Sequence, residues 1–432
     1  MRLLMLLPFA PRRDATNGGA RVLTQFLTEI TSRHQVAILY FREADEPGAD
    51  LFFHERCERV EEVVRPASKG SLRARVTRYF RMILSLFLLR PVWVGDWASV
   101  EFAKQARLLV QRFQPEIIQS ELHVMGQYLS ALRDLGARQV LVEYESGTRA
   151  ALYLQNLPWA LRDLVEGIER ISWRRYEMNI YRQVDAIVAF TPADQKSISQ
   201  TAGHTPVYII PPGTCIPEHP LDPLGSSPPN LLFIGNFYHP PNADAARRLV
   251  DSIFPSVRQR LPDAKLFIVG ENPPADLNRS NRENIVITGR VPEITPYLDQ
   301  AALVVAPLRL GGGIRIKILE SLVAGKAVVT TSLAAEGLDI QDGEQLVLAE
   351  TDDEFVTRIV ELLDNPEKRL AIARRARAWA CENIAWEQSV AKYETLYQGL
   401  LTAYTPSAWK MPIAPLSESH TSQFLNPPRQ NE

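Results

Sequence analysis

Apolar runs of strand length recur through the first half of the chain, at Leu3–Leu7, Val36–Phe41, Ile117–Gln119, Val140–Val142, Ala186–Phe190 and Val207–Ile210. Stretches of helical length and periodicity separate them. Runs that stay apolar throughout suit strands buried on both faces, and their alternation with helices predicts a parallel sheet covered on both sides. A second series follows at Leu231–Ile234, Leu266–Val269, Ile285–Ile287, Leu303–Ala306, Val328–Thr330 and Leu346–Leu348. Helical stretches again intervene, among them Ala243–Arg260 and Ile314–Ala324. Between the two series lies a joint with Pro211, Pro212, Gly213, Pro217, Pro220, Pro223 and the run Gly225-Ser226-Ser227-Pro228-Pro229. Proline lacks an amide donor and restricts φ, so few helices or central strands run through such a segment. After the second series, Asn365-Pro366 opens an alanine-rich helix, and Trp386 to Tyr404 forms an amphipathic one. From Thr405 the sequence is polar and without period, as expected of a disordered tail over 405–432. The pattern predicts an α/β chain with domains at 1–212 and 230–385 and a linker at 213–229.

Composition narrows the function classes. Against 50 acidic residues stand 48 basic ones, a net charge of −2, so no basic surplus supports a nucleic-acid binder. Cys57, Cys215 and Cys381 are far apart and form no CxxC, which excludes a disulfide framework and a zinc knuckle. The opening MRLLMLLPFA reads as a buried strand rather than a leader, and the next longest apolar stretch, Met82 to Leu89, is under half of the ~20 residues a membrane span needs. The expected location is the cytoplasm. One segment breaks the charge balance: Arg65 to Arg90 carries seven basic residues and no acidic one. On a helical wheel Leu72, Val76, Tyr79, Ile83 and Phe87 share a face opposite Arg78 and Arg81. Two readings stand, a helix lying on anionic lipid at the inner face of the membrane and a packing helix with a solvated basic rim.

The sharpest signal is AALVVAPLRLGGGIRIKILESLVAGKAVVTT, from Ala301 to Thr331. A buried strand ends at Pro307, Gly311-Gly312-Gly313 form a loop, and a helix starts at about Ile314. Glycines admit positive φ and close backbone approach, and a helix start offers unpaired amides and a positive dipole end, so the unit suits an anion. On ideal geometry Gly313, Lys317, Glu320 and Ala324 form one stripe, beside an apolar stripe of Ile316, Leu319 and Val323. A lysine near a diphosphate and a carboxylate near ribose hydroxyls is the division of labour a sugar nucleotide requires. An i,i+3 surface pair is the plain alternative, but it leaves the triple glycine unexplained. Arg315, in the first turn, is a further phosphate candidate.

This run resembles the donor-binding signature of the family-4 (group 1) glycosyltransferases of GT-B architecture. Further matching pieces are FIGNFYHPPN (Phe233–Asn242), LFIVGENP (Leu266–Pro273), ITGRVPEITPYL (Ile287–Leu298) and AAEGL (Ala334–Leu338). The resemblance implies two Rossmann-like domains facing across a cleft, with the helix from Trp386 crossing back so that 386–404 completes the first domain. It also implies that Gly235 and Gly270 lie at strand ends near the nucleotide and that Arg290 and Val291 line the base. Glu320 would hold the ribose, and Gly312, Gly313 and Ile314 would offer amides to the phosphates. Gly18 and Gly19, after the first strand, match the glycine loop that faces the donor from the other domain. The implied activity is retaining, metal-independent transfer of a sugar from a nucleotide-sugar donor to a glycan or lipid-linked acceptor, in cell-envelope polysaccharide or glycoconjugate synthesis, without a cofactor.

Departures from the family pattern keep other readings open. Gly312 stands where many members carry the first of two glutamates. Asn236 and Asn242 occupy the expected places of a basic pair, whose work Arg315 and Lys317 would take over. Tyr144 stands near the place of a common histidine, with His123 as another cleft candidate. Glu145 and Glu143 suit acid–base or acceptor-orienting roles, or else are solvated or paired with Arg149. A degenerate subunit that binds a partner or a sugar nucleotide without turnover is the main alternative; an epimerase of similar architecture is a third. The sequence holds no Asp-x-Asp, GxGxxG, GxxxxGK[ST] or HExxH motif.

Overall fold

The computed structural model describes residues 1–15, 18–65, 72–144, 159–278 and 284–402. Two parallel sheets organise the chain. The first comprises β1 (Arg2–Leu7), β2 (Gln35–Glu43), β3 (Arg59–Arg65), β4 (Ile117–Glu121), β5 (Arg138–Glu143), β6 (Ala186–Ala189) and β7 (Val207–Ile209), in the order β3-β2-β1-β4-β5-β6-β7. The second comprises β8 (Asn230–Ile234), β9 (Lys265–Val269), β10 (Ile285–Gly289), β11 (Ala301–Ala306), β12 (Val328–Thr330) and β13 (Val347–Leu348), in the order β10-β9-β8-β11-β12-β13. In both, the order reverses beside the first strand, which makes a crevice at the carboxyl ends of β1 and β4 and of β8 and β11.

Side-chain alternation explains the continuous apolar runs. Leu4, Leu6, Ala37 and Leu39 enter one core of the first domain, while Leu3, Met5, Leu7, Val36 and Ile38 enter the other. The strand β3, absent from the expected series, carries Arg59, Glu61, Glu62 and Arg65 among its valines. It is an edge strand, where charges discourage pairing with other chains, and Glu62 accepts hydrogen bonds from Tyr40 and Arg42 of β2.

The proline-rich joint does not stand alone. Thr214 N–H donates to Ile384 O at 2.9 Å, so the outgoing linker runs beside the returning chain. Gly213 lies under Trp386, whose ring would be 2.6 Å from a Cβ at that position. The helix Trp386–Thr402 then packs on the helix Gly18–Ile30, burying Trp386, Val390, Tyr393, Leu396 and Tyr397 in a first-domain core. Trp386 Nε1 donates to Gln25 Oε1 at 2.9 Å. Lys326, fully buried, tethers the linker from the other side by donating to the carbonyls of Asp222, Asp299 and Ala301. The segment from Thr405 lies outside the described residues.

Two helical expectations shift. The stretch expected at Ala243–Arg260 begins earlier, at Pro240, because Pro240 and Pro241 suit a first turn, and it widens into a π turn over Leu249–Ile253. The helix Leu72–Phe87 is turned the opposite way from the solvated-rim expectation. Arg78 bonds Asp96 at 2.8 Å, Arg81 points to Ala98 O, and Ser85 is buried where Gly95 leaves room for it. Its outward face is apolar, with Phe80 65% and Phe87 82% exposed. The buried Asp96 draws Arg78 inward, since a buried carboxylate without a cation is costly. Residues 66–71 of this segment lie outside the described set. No helix among the described residues is long and apolar enough to cross a membrane.

Candidate functional site

The strand β11 is buried along its whole length, and its chain then turns through Pro307 and Leu308 into the glycine loop. Arg248 Nη1 on Pro307 O and Thr331 Oγ1 on Leu308 O pin the turn. Gly311 and Gly313 have φ of 102° and 73°, values that disfavour a side chain. The helix that follows spans Ile316–Val323, two residues later than expected, with Arg315 at its N-cap. Ile314 therefore lies outside the helix. It packs with Ile316 against a core of the first domain, since two β-branched apolar residues gain more from that burial than from an exposed first turn.

Arg315 does not extend as a free phosphate ligand. Its Nη1 donates to the carbonyls of Gly312 and Gly313, which closes the loop on itself. Lys317 and Glu320 take separate partners rather than pairing with each other. Lys317 Nζ donates to Asn242 Oδ1 at 2.6 Å and stands 4.5 Å from the Phe233 ring centroid. Asn242 Nδ2 in turn donates to Asn236 O at 2.7 Å, so the two asparagines at the places of the expected basic pair hold the lysine instead. Pro241 lies against Gly311, which brings the start of the helix Pro240–Arg248 to the loop. Two helix starts thus converge on the ammonium. Burial, then Arg315, push Lys317 down to about 7, with Glu320 opposing. His239 lines the same wall and is pushed down to about 4 by desolvation, Arg315 and Lys317, so it is neutral near pH 7.

Gly235 and Gly270 close the floor. Gly270 has φ of 143°, and a Cβ there would sit 1.8 Å from Gly235 O, so β8 and β9 end in touching backbones. Arg290 is exposed and Val291 half-buried just beyond β10. The opposite wall comes from the first domain. Gly18 begins the helix Gly18–Ile30 with Gly19 beside it, and a Cβ on Gly18 would lie 3.5 Å from Ile316. Gly337, at φ of 86°, meets Thr191 from the end of β6. Arg21 forms an ion pair with Glu320, and Arg290 adds to the attraction that keeps Asp14 ionised, after its hydrogen bond to Arg12. The carboxyl ends of the two sheets therefore face one another, with the glycine loops opposed.

The first-domain candidates separate. His123 is fully buried, between the edges of Trp93 and Trp173, with Nδ1 3.2 Å from Glu143 Oε2. Glu143 is likewise buried, not solvated, and pairs with His123. Tyr176 also donates to the His123 carbonyl at 2.6 Å. Tyr144 is half-buried and donates to Glu121 Oε2 at 3.0 Å. Glu121, not singled out from sequence, also accepts from Gln119, which accepts from Tyr397 of the last helix. Burial pushes Glu121 up to about 7. Its signal was an acidic residue at the end of an apolar strand, too common to notice. Glu145 and Arg149 lie outside the described residues.

Residues 228–365 match the family model described as "Glycosyl transferases group 1". That stretch of the chain is therefore similar to a group 1 glycosyltransferase domain. A 163-residue stretch is 27% identical to an uncharacterized 44.6 kDa protein in the cps region of Klebsiella pneumoniae, covering 36% of this chain and 42% of that protein. Another match over 163 residues is 29% identical to the GDP-mannose-dependent alpha-(1-6)-phosphatidylinositol monomannoside mannosyltransferase of Mycolicibacterium smegmatis, covering 34% and 42%. The chain thus spans under half the length of these curated relatives. Over the full fold it is similar to the sucrose-phosphate synthase of Thermosynechococcus elongatus, with a TM-score of 0.69, 14% identity and coverage of 93% and 100%. The architecture is GT-B, two Rossmann-like parallel-sheet domains face to face.

Proposed function

We propose that this chain is a glycosyltransferase that moves a sugar from a nucleotide-sugar donor to a glycan or lipid-linked acceptor, with retention at the anomeric carbon and without a metal. The observation that carries this reading is the split of Lys317 and Glu320. The ammonium stands with two helix starts beside the glycine loop, and the carboxylate turns to the opposite domain. The first arrangement suits a diphosphate and the second a ribose. As the glycosidic bond breaks, negative charge grows on the departing diphosphate, where Lys317 and the helix starts stabilise it. Enclosure between the two domains keeps water from the donor. Tyr144, Glu145 and His123 stay on the acceptor side of the proposal, His123 only through Glu143 and its neighbours. The relative named for GDP-mannose and a lipid-anchored acceptor supports the class of both substrates.

The purified full chain, given UDP-, GDP- and ADP-sugars with glycan and lipid-linked acceptors, is expected to consume one donor class with formation of glycosylated product. Tight donor binding without any turnover would favour the degenerate-subunit reading and reject this one.

A peripheral place at the inner membrane face belongs to the same proposal, on the apolar face of the helix Leu72–Phe87 rather than on its arginines. Val76, Phe80, Ile83 and Phe87 are exposed together, a grouping that soluble surfaces disfavour. Co-sedimentation with anionic vesicles is expected to fall at least fivefold in a Phe80→Asp/Phe87→Asp variant, and to persist when salt is raised. Undiminished sedimentation of that variant would reject the contact.

A further inference from the structure

Glu320 sits on the second domain but finds its cation on the first. Its side chain is about one-tenth exposed, and that of Arg21, one helical turn after Gly18, is about one-third exposed. The pair joins Glu320 Oε1 to an Arg21 guanidinium nitrogen. Among the described residues, Oε2 accepts no hydrogen bond. The contact is one of several that dock the domains at this point, with Ile314 and Ile316 packed against the cores of both domains and Gly337 on Thr191. Burial disfavours the charged carboxylate, and Arg21 opposes that effect. An isolated carboxylate here would take up a proton and lose half its accepting capacity.

We propose that Arg21 is a positioning residue for the donor ribose: it holds Glu320 Oε1 from the opposite domain and leaves Oε2 to accept from the ribose hydroxyls. This rests on the glycosyltransferase reading. It makes ribose recognition a property of the docked pair of domains, since neither domain alone supplies both the carboxylate and the group that orients it. A guanidinium suits the task because it stays charged and its planar fork fixes direction, whereas an ammonium does so less well.

The test is calorimetric binding of UDP, GDP and ADP, and of their 2′-deoxy counterparts, to the full chain and to Arg21→Ala, Arg21→Lys, Glu320→Gln and Arg21→Ala/Glu320→Gln variants. The wild type is expected to prefer the ribonucleotide about tenfold, the worth of one good hydrogen bond to a charged group. Arg21→Ala is expected to lose most of that preference, Arg21→Lys to regain part, and the double variant to bind no more weakly than Glu320→Gln alone. Unchanged ribose preference in Arg21→Ala, or additive losses in the double variant, would overturn the proposal while leaving the donor site standing. Absence of binding of all three nucleotides by the wild type would overturn the donor reading beneath it. Melting curves separate misfolding, because a purely structural Arg21 shifts stability without changing the ratio of ribo- to deoxyribonucleotide affinity.

Discussion

Lys317→Ala is expected to weaken donor binding on the order of 100-fold, about 2.7 kcal/mol, while melting stays within a few degrees of the wild type. Lys317 follows the glycine loop by four residues, and its ammonium is held in place by Asn242. Arg315 cannot replace it, since its guanidinium is engaged by Gly312 and Gly313. The pH profile gives a second signature. With Lys317 pushed down to about 7, its ammonium is present below that pH and lost above it. Bound diphosphate favours the charged form, so the dissociation constant is expected to rise up to roughly tenfold from pH 6.5 to pH 8. Of the groups that face it, Arg315 stays charged, His239 is already neutral and Glu320 is held by Arg21. The Lys317→Ala profile should therefore be flat. Stability runs the other way. Between about pH 7 and the ordinary lysine range the unfolded chain binds more protons, so this group's contribution to folding rises with pH as donor affinity falls. Titration calorimetry across that range checks both signs, and a pH-independent wild-type affinity would reject the assignment.

Trp386→Ala is expected to destabilise the first domain by about 4 kcal/mol and lower its melting temperature by roughly 10 °C. The indole is buried against Phe26, at 6.1 Å between centroids, and over Gly213, and it donates to Gln25. It also marks where the returning chain meets the outgoing linker, so its loss loosens the crossing between domains. Scanning calorimetry should show one transition moving while the second-domain transition, supported by its own core, moves less. Equal shifts in both would mean that the two domains unfold as a unit.

Much of the fold was legible because buried parallel strands leave unbroken apolar runs, and these fell within two residues of the observed strands. The edge strand β3 escaped for the same reason in reverse. Its alternation is interrupted by charges suited to an edge, and charges read as loop when only one face is buried. The amphipathic helix Leu72–Phe87 was recognised, but its orientation was not. A wheel gives two faces without saying which meets the protein, and Asp96, outside the helix, decided it.

The site divides along the same line. The chain by itself dictated a strand, a glycine loop and a helix start, because backbone freedom, strand burial and helix polarity are local consequences of residue type and order. It also placed Lys317 and Glu320 one turn apart. Only the tertiary structure decided their partners. Asn242 reaches Lys317 across 75 residues, and Arg21 comes from the other domain. Such pairings depend on how two independently folded sheets dock, and docking is governed by shape and burial summed over many distant residues, which no local pattern encodes.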